Sequence, residues 1–429
     1  MRSVEEQQAR VSAAAVAPRP VQVAIAEAQG LMCAEEVVAE QPMPGFDQAA
    51  IDGYAVRSID VRGAGAGPES PGSADPDDPD AEAAGAVVTL PVLGMIEAGA
   101  RTPSRLQPKL ATRIQTGAPM PTLADAVLPL RWTDGGQSRV RVLRGVRPGA
   151  YVRHTGDDVR PGDVVVQAGT IVGAAQVGLL AAAGRERVLV HPRPRLSVLS
   201  VGAELVDVSR TPGNGQVYDV NSYALAAAGR DAGAEVNRVG IVSNDPKKLG
   251  EVVEGQLNRA EVVVIAGAVG GAAADEVRAV LSELGDMEVT RVAMHPGSVQ
   301  GFGQLGAEGV PTFLLPANPI SALVIFEVMV RPLIRMSLGK REPMRRVVQA
   351  RALAPISSPP GRTAYLRGQL MRDQDTDEYL VQVLGDDPGV PSHLLASLAA
   401  ANCLVVVPAA VERVAAGELV DVAFLAQRG

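Results

Sequence analysis

Three acids fall where an open α/β sheet would present them to a ligand. Glu204 ends Ser200-Val-Gly-Ala-Glu204, Asp245 sits in Val242-Ser-Asn-Asp-Pro246, and Asp275 closes the stretch from Ala266 through Gly267, Gly270 and Gly271. Each follows a Val/Ile-rich run, and in such sheets ligands bind outside the carboxyl ends of the strands. Carboxylates converging there suit Mg²⁺, a hard cation that takes oxygen ligands and often shares them with phosphates. Each acid equally suits a helix start, Asp245 most plainly because Pro246 follows it. The glycines from Gly267 to Gly271 follow a strand and precede a helix, so their N–H groups could cradle a phosphate. Close packing is the competing role, because the stretch matches neither GxGxxG nor GxxxxGK[ST]. Leu315-Pro-Ala-Asn-Pro319 is turn punctuation at another strand end. Asp47 and Asp52 share a Pro/Gly-framed loop, where acids are usually solvated or capping. His154, His191, His295 and His393 are scattered, and no Ser/His/Asp spacing marks a nucleophile.

These residues need elements to place them. Between 195 and 337 strands and helices alternate. The pattern predicts strands at Leu196–Val201, Glu235–Val239, Val262–Ala266, Glu288–Met294 and Thr312–Leu315. It predicts helices at Ser222–Ala232, Pro246–Arg259, Asp275–Leu284 and Pro319–Met336. Buried strands separated by helices make a mostly parallel α/β sheet. Asn318-Pro319 starts the last helix, and Pro332 should kink it. Ser3 and Glu6 have capping-box spacing for a helix running to about Val16. Short strands between Pro/Gly turns from Val87 to about Val142 predict a small β-domain, and strands beyond Lys340 predict a second one. Residues 63–86 hold acids, no base and no large apolar residue, which predicts a poorly ordered insertion loop.

Composition narrows the classes. The 429 residues are 47% apolar and 21% charged, which excludes wholesale disorder and a fibrous rod. A net charge of −8 argues against a broad nucleic-acid or anionic-membrane footprint. Cys33 and Cys403 form no disulfide framework or zinc pattern. The longest apolar stretch, 320–330, contains Glu327 and is too short to span a bilayer. With no apolar segment near residue 1 resembling a signal peptide, a cytoplasmic protein is expected.

The motifs together resemble the MoeA/gephyrin E-domain family of molybdopterin molybdenumtransferases. The resemblance is carried by GFDQAAIDGYAVR (45–57), QTGAPMP (115–121), RHTGDDVRPGD (153–163), GQVYDVNS (215–222), GIVSNDP (240–246), MHPG (294–297) and LPANPISA (315–322). It covers essentially the whole chain. It implies an α/β-plus-β multidomain architecture: an elongated N-terminal domain (1–45 with 143–190), a β-rich domain (46–142), an α/β molybdopterin-binding domain (191–339) and a C-terminal β-barrel-like domain (340–429). It further implies a homodimer that inserts molybdate into adenylylated molybdopterin, releasing AMP, with Mg²⁺ assistance. By motif position Asp52, Thr116, Asp158, Glu204, Asp245 and Asp275 match the family's functional residues. Asn221 matches its aspartate-x-asparagine turn, and Pro316, Asn318 and Pro319 match its LPGNP loop. The glycines Gly267, Gly270 and Gly271 stand in its cofactor-binding stretch, with Glu204, Asp245 and Asp275 as the metal-bearing acids.

Departures from the family pattern cluster. Its S-T-G-D-E reads Ser200-Val-Gly-Ala-Glu204 here, and its S-G-G-V-S-V-G reads Ala266-Gly-Ala-Val-Gly-Gly-Ala272. Its K-P-G-K-P reads His295-Pro-Gly-Ser-Val299, so two lysines are gone. Of 40 basic residues only Lys109, Lys247, Lys248 and Lys340 are lysines, so compositional drift would have put arginine there. The substrates are polyanionic, and each lost charge-assisted hydrogen bond costs on the order of 1.5–3 kcal/mol. The expectation is a transferase weakened at its anion site. The alternative is an inactive, gephyrin-like dimeric scaffold holding a short peptide tail of a cytoskeletal or cell-division protein.

Overall fold

The computed structural model describes residues 1–16, 18–65, 87–101, 105–243, 245–270, 272–385 and 395–425. Of the expected insertion loop, 66–86 lies outside the described residues, as does Gly271. The chain forms two compact units, one of residues 1–22, 30–34 and 189–429, the other of residues 23–29 and 35–188. No helix among the described residues is long and apolar enough to cross a membrane.

The first unit opens with α1 (Val4–Ala13). Its capping box is made as the spacing predicts, with Ser3 Oγ accepting from Glu6 N at 3.0 Å and Glu6 Oε2 accepting from Ser3 N at 2.9 Å. The helix stops at Ala13, short of Val16. Six strands then form one sheet: β1 (Arg195–Val201), β2 (Glu235–Val242), β3 (Val262–Val269), β4 (Gly285–Arg291), β5 (Val299–Leu305) and β6 (Val310–Pro316). Their order is β2-β1-β3-β6-β5-β4. The pairings β2–β1, β1–β3 and β3–β6 are parallel; β6–β5 and β5–β4 are antiparallel. The parallel half is the one expected. Strand β5 was not among the expected strands; Val299-Gln-Gly-Phe-Gly-Gln-Leu305 carries two glycines, which weaken a strand interior. A Cβ on Gly303 would lie 2.1 Å from Asp286 O, so the glycine is what lets β4 approach.

Alternate strand residues feed opposite cores, as a period of two requires. Leu196, Val198, Val264 and Phe313 pack with Val4 and Val11 of α1, with Leu225 of α2 (Asn221–Ala232) and with the helix that follows β6. Leu199, Ile265 and Leu314 pack with Leu249 and Val253 of α3 (Pro246–Leu257) and Val277 and Leu281 of α4 (Ala272–Leu284). The helix after β6 runs as α5 (Pro319–Ile325), a π turn (Phe326–Val330) and α6 (Arg331–Ser337). The expected disturbance at Pro332 takes that form. Proline offers no N–H to the carbonyl four residues back, and its ring crowds that carbonyl; a wider turn just before it relieves both.

Beyond it Val347–Ala352, Thr363–Arg372, Tyr379–Val383, Cys403–Val407 and Leu419–Phe424 close into a five-stranded barrel, as expected for the C-terminal region. The second unit holds a five-stranded sheet of Gly53–Val56, Val88–Ile96, Ala111–Ile114, Ala126–Pro129 and Arg139–Val142 around Tyr54, Leu90 and Leu128.

Candidate functional site

In the second unit three of the quoted motifs are tied together by carboxylates. Asp52 Oδ1 accepts from Thr116 N and from Thr116 Oγ1, both at 2.7 Å. The backbone reinforces the join, with Gly117 N donating to Ala49 O at 2.8 Å and Ala49 N to Ala118 O at 3.0 Å. Five residues before Asp52, Asp47 Oδ1 accepts from Thr155 N at 2.8 Å and Thr155 Oγ1 at 2.9 Å, and its Oδ2 meets His154 Nδ1 at 3.1 Å. Asp158 is exposed, and its N–H donates to Met43 O at 3.0 Å. The loop 45–57 is therefore a clasp holding 115–121 and 153–163. Asp47 and His154 were not expected in that role, because contacts across about 107 positions leave no local spacing to read.

The Thr116 backbone N–H, then its hydroxyl, hold the Asp52 carboxyl below the usual carboxylate range. For Asp47 the Thr155 N–H lowers it most, burial opposes, and His154 adds to the lowering. A carboxyl whose folded value is depressed contributes stability above its unfolded value, about 3.9, and loses it as pH falls through the folded value. The protection of the Thr116 and Thr155 amides, taken against the intrinsic exchange rate at each pH, should therefore persist at neutral pH and be lost only below about pH 4. Protection that survives unchanged well below pH 4 would show that the two carboxylates do not control these amides.

In the first unit the residues singled out lie at the carboxyl edge of the parallel strands. Asn221 is buried and its Nδ2 donates to Ala317 O at 2.8 Å, tying the start of α2 to Pro316-Ala-Asn-Pro319. Its Oδ1 is buried with no hydrogen-bond partner. Beneath it Asp219, 1% exposed, accepts from Ser200 Oγ at 2.8 Å, from Ser222 N at 3.0 Å and from Ser222 Oγ. Arg238 Nη1 donates to Ser222 Oγ at 3.1 Å. Asn318 Oδ1 accepts from Ile320 N and Ser321 N at 3.0 and 3.2 Å, so it caps α5 with Pro319 beside it.

The glycine stretch is corrected in part. Strand β3 runs on to Val269, with a bulge where it pairs Ala266 with Leu315 and Val269 with Pro316. Gly267 sits in that bulge at φ 83°, and a Cβ there would lie 2.1 Å from Val201 O. Its glycine is needed for the approach of two backbones. Gly267→Ala should lower unfolding free energy by about 2–4 kcal/mol, from overpacking and left-handed strain together. Urea unfolding measures it; an unchanged midpoint would show that the bulge relaxes freely. Gly270, at φ 86°, has open space around its Cα.

The expected Mg²⁺ cradle is not gathered. Among the described residues no group of three or more His, Cys, Asp or Glu is placed to hold a metal. Asp245 Oδ1 caps α3 by accepting from Lys248 N at 3.0 Å. Asp275 pairs with Arg278 at 3.0 Å, and Glu204 is exposed. Asp245 and Asp275 serve local partners at helix starts, and Glu204 lies in a turn before the short strand Leu205–Val206. The donor set as it stands does not fit a Mg²⁺ centre.

Cations are sparse at this edge but not absent. His295 is half-buried on a short strand, Met294–His295, that pairs with Thr363–Ala364 of the barrel. It lines a cavity of about 80 Å³ with Asn318, Ser321, Tyr365 and Arg367. Arg367, 8% exposed, is a cation the sequence did not single out, because it comes from the barrel. Burial pushes the Tyr365 hydroxyl up to about 12, so it stays protonated at neutral pH.

Comparison with known proteins accords with this geometry. Residues 2–184 match the model of the MoeA N-terminal region (domain I and II), residues 197–336 that of a probable molybdopterin binding domain, and residues 349–425 that of the MoeA C-terminal region (domain IV). The chain is 79% identical to molybdopterin molybdenumtransferase 1 of Mycobacterium tuberculosis over 429 residues, all of both chains. It is 38% identical to molybdopterin molybdenumtransferase 2 of the same organism, covering 98% of this chain and 99% of that one. A crystal structure of a molybdopterin biosynthesis MoeA protein from Pyrococcus horikoshii superposes with a TM-score of 0.79 at 30% identity, over 99% of each chain.

Proposed function

The chain belongs to the MoeA family, and on that premise we propose that it works as a molybdopterin molybdenumtransferase, inserting molybdate into adenylylated molybdopterin with release of AMP. It serves molybdenum cofactor biosynthesis. The whole-length likeness to named transferases carries this reading, and the mutual anchoring of the signature loops supports it.

The roles proposed for the residues follow from their surroundings. Asn221 Oδ1, a buried acceptor without a donor, takes an N–H or O–H of the pterin. Its Nδ2 bond to Ala317 O sets where the Pro316–Pro319 loop stands. Gly270 leaves room for the ligand to approach the backbone, with Gly267 and Gly271 beside it in sequence. Asp52 fixes Thr116, so that the 115–121 loop presents its backbone in one arrangement. Asp158 is assigned a substrate contact by motif position. Arg367 and His295 face the anionic end, where an always-charged guanidinium offers fixed donors. Asp245 and Asp275 act as helix-start acids and Glu204 as an edge acid.

The test is a reconstitution with purified protein, adenylylated molybdopterin and molybdate, following AMP by chromatography. AMP released no faster than without protein overturns the proposal. The anion-site deficit gives a second check. Ser298→Lys, at a half-buried position, should raise AMP release roughly tenfold, the low end for regaining one charge-assisted bond. No gain would mean that Arg367 already supplies what the lysines did. The homodimer implied by the family is also part of the proposal, and sedimentation equilibrium of the full chain checks it. The scaffold reading would be favoured by a protein without turnover that captures a peptide tail.

A further inference from the structure

Four arginines surround a recess in the first unit that the transferase chemistry does not use. It measures about 950 Å³ and is lined by Arg331, Arg335, Arg345 and Arg346, with Asp231 and Glu342. Pro343, Met344 and Phe424 supply apolar wall. It lies far from the candidate site. Asn318 starts the helix that carries Arg331 and Arg335 at its other end, roughly 20–26 Å away at 1.5 Å per residue.

The charges there are unevenly matched. Arg345 takes most of the nearby acid, donating from Nε to Glu327 Oε2 at 2.8 Å and from Nη2 to Asp231 Oδ2 at 2.8 Å and Glu327 Oε1 at 3.1 Å. Arg331, 6% exposed, is left at 3.5 Å from Glu327 and 3.8 Å from Asp231. The Nε atoms of Arg331 and Arg335 are buried and make no hydrogen bond, the former lying 3.5 Å from Glu327 Oε2. Among the described residues no acid lies within ion-pair distance of Arg335 or Arg346. Burial first, then the neighbouring Arg345, pull the Arg331 guanidinium down to about 10, so it stays charged at neutral pH. Buried donors without acceptors are costly, and mutually repelling guanidiniums add to that cost. A bound anion would relieve both.

We propose that this recess is an anion site for a small phosphate-bearing molecule, with Arg335 and Arg346 as its free guanidiniums. Planar guanidinium forks match phosphate oxygens two at a time. The recess is at the upper end of the range of small-molecule pockets, roughly 300–1,000 Å³, so it holds more than the phosphate itself.

Calorimetry of the full chain with pyrophosphate and with inorganic phosphate, at fixed ionic strength, tests this. Saturable one-to-one binding is expected, tighter for pyrophosphate. Arg335→Gln and Arg346→Gln should each weaken it about tenfold or more. Arg346 is exposed, so that variant should fold and should release AMP at the parent rate, which separates this recess from pyrophosphate held at the transferase site. The proposal fails if no saturable heat appears at millimolar pyrophosphate, or if both variants bind like the parent. It fails equally if only anionic phosphatidylglycerol vesicles bind through these arginines, because the anion would then be a lipid surface.

Discussion

Asp219→Ala should lower the unfolding free energy by about 3–5 kcal/mol, with an unchanged urea m-value. The carboxylate is 1% exposed and accepts from Ser200 Oγ, Ser222 N and Ser222 Oγ. Removing it leaves two hydroxyls and an N–H without their acceptor in a dry interior, each costing roughly 1–3 kcal/mol, with partial relief from rotation of the hydroxyls. Arg238, which reaches Ser222 Oγ, would lose part of its orientation too. Asp219→Asn keeps one oxygen and should cost clearly less. The structural effect should carry into function, because Asp219 fixes the turn that delivers Asn221 to Ala317. A shift below about 1 kcal/mol would show that these bonds are replaced by water.

Asp52→Ala should leave overall stability nearly unchanged and reduce AMP release by about a hundredfold, the scale of a small misplacement of substrate-positioning groups. Asp52 is exposed, so its bonds to Thr116 compete with water and add little to folding. They do select one arrangement of the 115–121 loop. Asp52→Asn should fall between, since the amide oxygen can still accept from Thr116. Equal losses for Ala and Asn would make Asp52 a charge that touches substrate rather than a positioning residue. Full activity in Asp52→Ala would remove the clasp from the mechanism.

Particular residues show what could be read early. Ser3 with Glu6, Asp245 with Pro246 and Asn318 with Pro319 declare helix starts, because caps are satisfied within three residues. The same locality does not separate a helix cap from a metal ligand. An acid that follows a strand and opens a helix satisfies both descriptions, and here Asp245 went to Lys248 N and Asp275 to Arg278. Strand β5 went unread because glycines weaken a strand's local signal, whereas in the sheet a Cβ on Gly303 would meet the Asp286 carbonyl and one on Gly301 the Leu314 side chain.

From the sequence by itself came the α/β alternation, the helix caps, the family likeness and the loss of two lysines, all properties of residue type and short spacing. Only the tertiary structure decided that Asp47 and Asp52 clasp two distant loops, that Asn221 and Asp219 order the sheet edge, and that Arg367 arrives from the barrel beside His295. Those contacts join residues about 19 to 108 positions apart, and at such separations a hydrogen bond depends on the packing of whole elements, which leaves no periodic trace along the chain.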